Sequence, residues 1–179
     1  RGTVRLIHDG ELQAEPVSGV PEVRARQLSG LMDIALHPQY SNNQLVYLTY
    51  NKPVGEDEQT IALARGRFDG NSFVEMQDIF VSTPNHSGGS RILFAPDGSL
   101  FMSVGGAYTV GRSAERAQDG SWHSGKLLRL LDDGSPFPGN PFMGRGGFHP
   151  EIYSMGHRNQ QGLAFYPQTG ELWAHEHAP

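Results

Sequence analysis

Short apolar stretches that end in turn residues dominate the chain. They run from Val4 to His8, from Ile61 to Phe68 and from Lys126 to Leu131, and an Asp-Gly turn closes or nearly closes each one. This combination is typical of β-strands joined by tight turns. The best helical spacing is confined to the short stretch from Arg112 to Gln118. The pattern therefore predicts an all-β protein.

A second pattern recurs three times and reads as apolar residue, proline, turn and strand. Its prolines are Pro38, Pro96 and Pro167. Gly98 and Gly170 stand where a tight hairpin needs positive φ, and Asn42-Asn43 are expected to supply that conformation in the first copy. The prolines lie 58 and 71 residues apart, so each hairpin is expected to belong to a unit of about four strands. That spacing favours the blades of a β-propeller.

Large side chains in the strand segments are expected to pack between such blades, and the long polar connections are expected to gather on one face, where function would lie. The side chains are Phe101, Tyr153, Phe165 and Trp173. The connections are 51–58, 85–90, 108–121 and 135–149.

Composition excludes several classes of function. The 179 residues include no cysteine, which rules out disulfides, thiolate metal sites and a cysteine nucleophile. Fourteen Lys and Arg against nineteen Asp and Glu give a net charge of −5 without a basic cluster, so no nucleic-acid partner is expected. No apolar run approaches the ~20 residues of a membrane-spanning helix, so no membrane span is expected.

Three stretches carry a resemblance to a known family: 30–38 (GLMDIALHP), 125–130 (GKLLRL) with Asn140-Pro141-Phe142, and 151–164, which contains Gly-His-Arg-Asn-Gln-Gln-Gly. Along almost its whole length the chain resembles the soluble PQQ-dependent aldose sugar (glucose/sorbosone) dehydrogenases. The resemblance implies a six-bladed β-propeller that binds PQQ and calcium on one face and oxidises aldoses at C1. It implies that residues 1–179 form a single partial domain of about three blades, in a periplasmic or secreted protein whose electron acceptor is not specified.

The resemblance also assigns residues to the substrate side. His86 matches the general base that takes the proton of the sugar C1 hydroxyl while hydride passes to the quinone, and an ordinary imidazole pKa of ~6.5 suits that task. Asn85 stands where some relatives have an acidic residue that contacts sugar. Gln27 lies beside Leu28, which occupies a common Gln position. Asn85 and Gln27 are therefore the expected substrate contacts.

On the cofactor side, Arg158 and Asn159 match the pair that contacts PQQ, and Gln161 is a further candidate beside them. A guanidinium fork suits a tricarboxylate quinone that gains negative charge on reduction. Ala178 and Pro179 lie where the family's backbone carbonyls hold calcium, an ion that takes oxygen ligands and is indifferent to the side chain.

The chain departs from the family pattern at the site. Gly106 replaces the carboxylate that would orient the catalytic histidine, Gln160 replaces a proline, and the interval from His86 to Arg91 is one residue longer. Gly106 favours an alternative in which a propeller of the same descent binds a ligand or partner without redox turnover. A structural extracellular propeller domain within a larger chain is a third possibility.

Two further expectations come from the residues themselves. His175 and His177 flank Glu176 at a spacing that can chelate zinc, although residues at a strand end beside the cofactor face are the favoured interpretation. Three blades would also leave open sheet edges, so further blades or a second copy are expected to close the ring.

Overall fold

The computed structural model describes residues 2–25, 29–56, 58–84, 88–106 and 113–177. Within these ranges nearly all of the regular secondary structure consists of antiparallel strands, which confirms the all-β prediction. None of the helices in them is long and apolar enough to cross a membrane.

The first part of the chain forms a small hairpin and a four-stranded sheet in which each strand pairs with the next. The elements in order are β1 (Ile7–His8), β2 (Glu11–Leu12), β3 (Leu31–Leu36), the helical turn α1 (Tyr40–Asn43), β4 (Leu45–Pro53), β5 (Gln59–Phe68) and β6 (Phe73–Val81). Strands β3 to β6 make up the first sheet, and β1 pairs with β2.

The second part repeats this organisation. Its elements are β7 (Gly89–Phe94), β8 (Leu100–Val104), the short helix α2 (Ser113–Gln118), β9 (Lys126–Leu130), β10 (Ile152–Met155), β11 (Gln160–Phe165) and β12 (Leu172–Glu176). Strands β7 to β10 form the second four-stranded sheet, and β11 pairs with β12. Since β7 contacts both β3 and β11, the first strands of the three units lie beside one another.

The three recurring hairpins join the first and second strands of these units. Gly98 and Gly170 have φ of 84° and 74°, as the turn chemistry predicts. The expectation for Asn42-Asn43 is wrong, because both belong to α1 and the positive φ of 56° falls on Gln44. Gln44 ends the helical turn in the left-handed conformation, and its N–H donates to the Tyr40 carbonyl.

The main hydrophobic core lies between the two four-stranded sheets. Its fully buried members include Tyr47, Ile61, Leu63, Leu100, Met102, Leu128, Leu130 and Ile152. The Tyr47 hydroxyl donates to the Asp132 carbonyl at 2.9 Å, which joins the first sheet to the turn after β9. Burial raises the pKa of Tyr47 to about 12, so the phenol keeps the proton that this bond requires.

Polar groups hold the first strands of the units together. Asp33 on β3 accepts the Ile92 N–H at 3.0 Å and lies 3.4 Å from the guanidinium of Arg91 on β7. Arg91 in turn donates through Nε to the Gln161 carbonyl on β11 at 2.7 Å. One arginine therefore bridges all three units at their first strands.

The packing expected of the large side chains is only partly found. Phe101 is buried against Phe165 across the second sheet and the β11–β12 pair. Trp173, however, is 63% exposed, and Tyr153 is 37% exposed. Trp173 lies on β12, and among the described strands none pairs with the outer edge of β12. The prediction that Trp173 is buried between blades is therefore wrong for the described chain.

Leu63 offers a test of the face-to-face core. Leu63→Ala should lower the free energy of unfolding by about 2–5 kcal/mol, because the side chain is fully buried between the sheets and leaves a cavity. Leu12→Ala on the exposed β1–β2 hairpin is the matched control and should cost less than about 1 kcal/mol. Chemical denaturation of the two variants measures the difference, and equal losses would contradict the proposed location of the core.

Candidate cofactor site

Three backbone segments meet at one end of the second sheet. Gly105 N–H donates to the Gly88 carbonyl at 2.9 Å, and Gly106 N–H donates to the Arg158 carbonyl. We call Gly88, Gly105, Gly106 and Arg158 the strand-end junction. It joins the start of β7, the end of β8 and the connection from β10 to β11.

Glycine is required in this junction because the backbones approach too closely for side chains. A Cβ on Gly105 would lie 2.6 Å from Asn159 Oδ1, and a Cβ on Gly106 would lie 2.8 Å from the Arg158 carbonyl oxygen. The backbone around Gly106 therefore leaves no room for the carboxylate that the family pattern predicts at this position. Any side chain here must displace the segment that carries Arg158.

Arg158 is the exposed cation of the junction. Its Nη1 lies 2.8 Å from His177 Nδ1 and donates to the His177 carbonyl at 2.9 Å. Its backbone N–H donates to Glu176 Oε2 at 2.6 Å. Burial tends to raise the pKa of Glu176, but the hydrogen bonds from Arg158 and His157 outweigh it and hold that pKa below its ordinary value. An ionised Glu176 thus orients the Arg158 segment while the guanidinium remains accessible.

The candidates that follow Arg158 in the chain are less exposed than Arg158 itself. Asn159 is only 4% exposed, and its carbonyl accepts the His177 N–H at 2.9 Å. Gln161 is half-buried, and its carbonyl is the acceptor for Arg91. Gln160, which replaces the family's proline, is fully buried, and neither atom of its amide has a hydrogen-bond partner among the described residues. Arg158 is the member of this group whose charge faces solvent.

The remaining candidates lie outside the described residues: His86, Asn85, Gln27, Ala178 and Pro179. The resemblance also predicts that His86, Arg158 and the Ala178 carbonyl face one shared polar cavity, and this stays a prediction.

The zinc interpretation of His175 and His177 receives no support from the geometry. His175 lies over Gly162, where its ring occupies the space that a Cβ would need. His177 contacts Arg158 instead. In the described part of the chain, these two residues and Glu176 do not form a three-ligand cluster. All three residues lie at the end of β12, where Glu176 and His177 contact Arg158.

Sequence reasoning missed a buried pair of ionisable residues, His123 and Glu151. His123 is 3% exposed, and its Nε2 lies 2.6 Å from Glu151 Oε1. Its Nδ1 accepts the Thr83 N–H at 2.9 Å. Because Nδ1 is an acceptor, the ring proton is on Nε2 and is donated to the carboxylate. The pair is a neutral imidazole hydrogen-bonded to an ionised glutamate.

The pKa values agree with this assignment. Burial lowers the pKa of His123 below its ordinary value, against the opposing effect of Glu151. Burial tends to raise the pKa of Glu151, but the hydrogen bond from His123, together with smaller contributions from the neighbouring histidines and the backbone, lowers it overall. Protonating either residue would break the arrangement.

Lys126 is a third buried ionisable residue that sequence reasoning missed. Its Nζ donates to the carbonyls of Arg116, Ala117 and Ser124, each at 2.9 Å. Burial lowers its pKa to about 8, so the ammonium is still mostly protonated at neutral pH. All three of its N–H donors are used, and two of them hold the C-terminal end of α2.

Comparison with known proteins identifies the chain. Residues 1–179 match the family model described as Glucose / Sorbosone dehydrogenase. The chain belongs to the glucose/sorbosone dehydrogenase family. The resemblance stated from the sequence is thereby confirmed, and the two sheets are consistent with consecutive blades of the propeller found in this family.

Relatives of the chain include proteins named as sugar dehydrogenases. Aldose sugar dehydrogenase YliI of Escherichia coli is 36% identical over 99% of this chain and 48% of its own length. Quinoprotein glucose dehydrogenase B of Acinetobacter calcoaceticus is 30% identical over 99% of this chain and 42% of its own length. The chain thus spans about half the length of these relatives.

A solved structure extends the comparison. The PQQ-bound form of an aldose sugar dehydrogenase from Streptomyces coelicolor superimposes with a TM-score of 0.77 and 31% identity, covering 93% of this chain and 47% of that one.

The pH dependence of stability tests the His–Glu pair. Between pH about 6.5 and the lower pKa of native His123, the unfolded chain binds a proton that the native protein excludes. Lowering the pH in this window should therefore reduce the free energy of unfolding, by up to about 1.4 kcal/mol per pH unit. Glu151 adds to the loss below pH about 4.5, where the unfolded carboxylate takes up a proton before the native one does.

Denaturant unfolding from pH 8 to pH 4 measures this slope. His123→Asn should flatten it between pH 6.5 and 5, whereas His8→Asn, at an exposed histidine, should leave it as in the parent protein. Identical slopes in the parent and His123→Asn proteins would show that His123 is not held neutral.

The junction predicts that Gly106 resists substitution. Gly106→Ala should destabilise the protein by about 1–3 kcal/mol, because its Cβ meets a backbone oxygen and not a flexible side chain. Gly146→Ala is the control, since a Cβ there meets nothing within 4 Å. Thermal unfolding provides the comparison. If Gly106→Ala is as stable as Gly146→Ala, the close approach of Gly106 and Arg158 is incorrect.

Proposed function

We propose that this chain is part of a PQQ- and calcium-dependent dehydrogenase that oxidises aldose sugars at C1. The observation that carries the proposal is the exposed guanidinium of Arg158, whose backbone is held at the strand-end junction by Gly106 and by Glu176. Membership of the glucose/sorbosone dehydrogenase family supports the reaction class.

The residues at the junction fit an anionic cofactor. Arg158 offers a guanidinium fork, which suits a carboxylate. It lies beside Gly105 and Gly106, where the backbone carries no side chain. Arg158, Asn159 and Gln161 would hold PQQ, and the carbonyls of Ala178 and Pro179 would bind calcium. PQQ, when bound, supplies the quinone that accepts two electrons.

The reaction assigned to this chain's own residues is proton abstraction. His86 accepts the proton of the C1 hydroxyl as the O–H bond breaks, and PQQ, when bound, would supply the acceptor for the hydride of the C1–H bond. A C1=O double bond forms, so the aldose becomes a lactone. Asn85 and Gln27 contact the sugar hydroxyls, and Arg158 stabilises the charge that accumulates on the cofactor side.

The architecture proposed for the whole protein is a six-bladed propeller. The two four-stranded sheets and the β11–β12 pair correspond to about three blades within residues 1–179, and further blades or a second copy close the ring. By analogy with the family, the protein acts in the periplasm or outside the cell.

A propeller that binds its ligand without redox turnover is the second candidate. Gly106 favours it, because the expected carboxylate is missing and the junction leaves no room for one. Reconstitution of the full-length protein with PQQ and calcium separates the two proposals. Cofactor binding with reduction of an artificial electron acceptor by an aldose supports the dehydrogenase, and binding without turnover supports the alternative.

Two substitutions are expected to separate catalysis from cofactor binding. In the reconstituted protein, His86→Asn should lower kcat by about 10²–10⁴-fold and leave PQQ affinity nearly unchanged, because only proton transfer is lost. Arg158→Met should weaken PQQ binding at least about tenfold, through loss of an ion-paired hydrogen bond.

Steady-state assays and absorbance titrations with PQQ measure the two effects. Arg67→Met, at an exposed Arg67–Glu75 ion pair, is the control and should alter neither quantity. Unchanged PQQ affinity in Arg158→Met would refute the cofactor assignment, and unchanged kcat in His86→Asn would refute the assigned base.

A further inference from the structure

The backbone that leads into Arg158 is held by three consecutive amides. The Gly156 N–H donates to the Ala117 carbonyl at 2.9 Å, and the His157 N–H donates to the Gly125 carbonyl at 3.1 Å. The third N–H, that of Arg158 itself, donates to a carboxylate on β12. The three acceptors belong to α2, to the turn before β9 and to β12. This short segment is therefore tied to three separate elements.

Lys126, the first residue of β9, shares one of these acceptors with the segment. Its Nζ donates to the Ala117 carbonyl at 2.9 Å, and a carbonyl oxygen can accept two hydrogen bonds. In the sheet Lys126 pairs with Val104, the last residue of β8, and with Met155, the residue before Gly156. It therefore lies at the sheet end from which β8 and β10 continue into the strand-end junction.

Lysine is the side chain that suits these acceptors. The ammonium has three N–H donors, and it uses them on the carbonyls of Arg116, Ala117 and Ser124. Lys126 is fully buried, so a carbonyl that loses its donor is poorly placed to bond water instead. An uncharged amine or amide offers at most two N–H groups and would leave one of the three carbonyls without this donor.

We propose that Lys126 is a positioning residue for the cofactor, in that its ammonium fixes the Ala117 carbonyl, which holds Gly156 and so sets the backbone that presents Arg158 to an anionic ligand. This inference rests on the proposed function. One shared carbonyl and two residues of backbone separate the ammonium from Arg158. A displacement of the Ala117 carbonyl is thus expected to reach the guanidinium, and small displacements have large effects on bound groups.

The charge of Lys126 makes this contact sensitive to pH. Burial lowers the pKa of Lys126 to about 8, against the opposing effect of Asp119. The other charged or titratable groups around it are His123, before β9, and Arg116 on α2, whose guanidinium lies over an aromatic ring. Its partners on the two neighbouring strands carry no charge. Above pH about 8 the neutral amine keeps two N–H groups for three carbonyls.

Two substitutions test the proposal in the full-length protein with calcium. Lys126→Met removes every donor at similar side-chain length, and Lys126→Arg keeps a cation that stays protonated throughout. At pH 7 Lys126→Met should bind PQQ at least about tenfold more weakly than the parent protein, and Lys126→Arg should stay within about threefold. Lys52→Met, at a partly exposed lysine paired with Asp78, is the control and should bind PQQ as the parent does.

Absorbance titrations with PQQ at pH 7 and pH 9 add a signature that loss of stability alone would not give. The affinity of the parent protein should fall about three- to tenfold at pH 9, because one hydrogen bond of the ammonium is lost. Lys126→Arg should lack this decrease, because its cation persists at both pH values. The same decrease in both proteins would overturn the role assigned to the ammonium.

Amide hydrogen exchange without PQQ supplies a readout that does not depend on activity. Residues 156–158 should exchange at least about tenfold faster in Lys126→Met, whereas residues 61–64, in the core of the first sheet, should keep the parent rate. Equal acceleration in both segments would indicate general destabilisation and would overturn the positioning role.

The parent protein alone covers the case in which Lys126→Met does not fold. Between pH 7 and pH 9, after correction for the intrinsic exchange rate, protection should decrease at residues 156–158 and persist at 61–64, because deprotonation removes one N–H of Lys126. Unchanged protection at 156–158 would contradict the proposal without any substitution.

The outcomes separate this inference from the proposed function. Local loss of protection together with weaker PQQ binding supports both. Local loss of protection with parent-like PQQ affinity overturns the role of Lys126 toward the cofactor and leaves the dehydrogenase proposal standing. If the parent protein binds no PQQ, the proposed function fails and the link from Lys126 to the cofactor fails with it.

Discussion

Satisfying buried polar groups at the start of β9 is the constraint on which the candidate site depends. Within four residues, three bonds form. His123 accepts the Thr83 N–H, and the Gly125 carbonyl accepts the His157 N–H. Lys126 donates to the carbonyls at the end of α2. Each of these groups is buried, and leaving one unpaired costs about 1–3 kcal/mol, so the bonds persist. Connections that are far apart in the sequence are thereby fixed to one strand end.

This arrangement explains how an all-β scaffold can hold an exact site on long irregular connections. The sheets themselves are joined by a hydrophobic core, whose attraction is non-directional and leaves the orientation of polar side chains free. The hydrogen bonds from 123–126 and the bridge of Arg91 between Asp33 and Gln161 are directional, and they remove that freedom. Packing therefore positions the sheets, and buried polar contacts position the residues that face a ligand.

How much the sequence could predict depends on whether a feature is local. The strands and the glycine turns at Gly98 and Gly170 follow from neighbouring residues, and the family stretch around Arg158 identified a cation that the structure places at a junction. His123 could not be found in this way, because its partners Thr83 and Glu151 are 40 and 28 residues away. The prediction that Trp173 is buried failed for a similar reason, because its burial depends on the element that packs against it.

The order of strand pairing has a consequence for how the protein is made. In both four-stranded sheets each strand pairs with the one before it in the chain, so no strand has to wait for a distant partner. Contacts of this short range favour rapid closure, and a growing polypeptide can complete the first sheet once residue 81 has left the ribosome. Its apolar face, with Ile61 and Leu63, then remains uncovered until β7 to β10 are synthesised. The interval between the two sheets is thus the stage of synthesis at which a nascent chain most needs protection from aggregation.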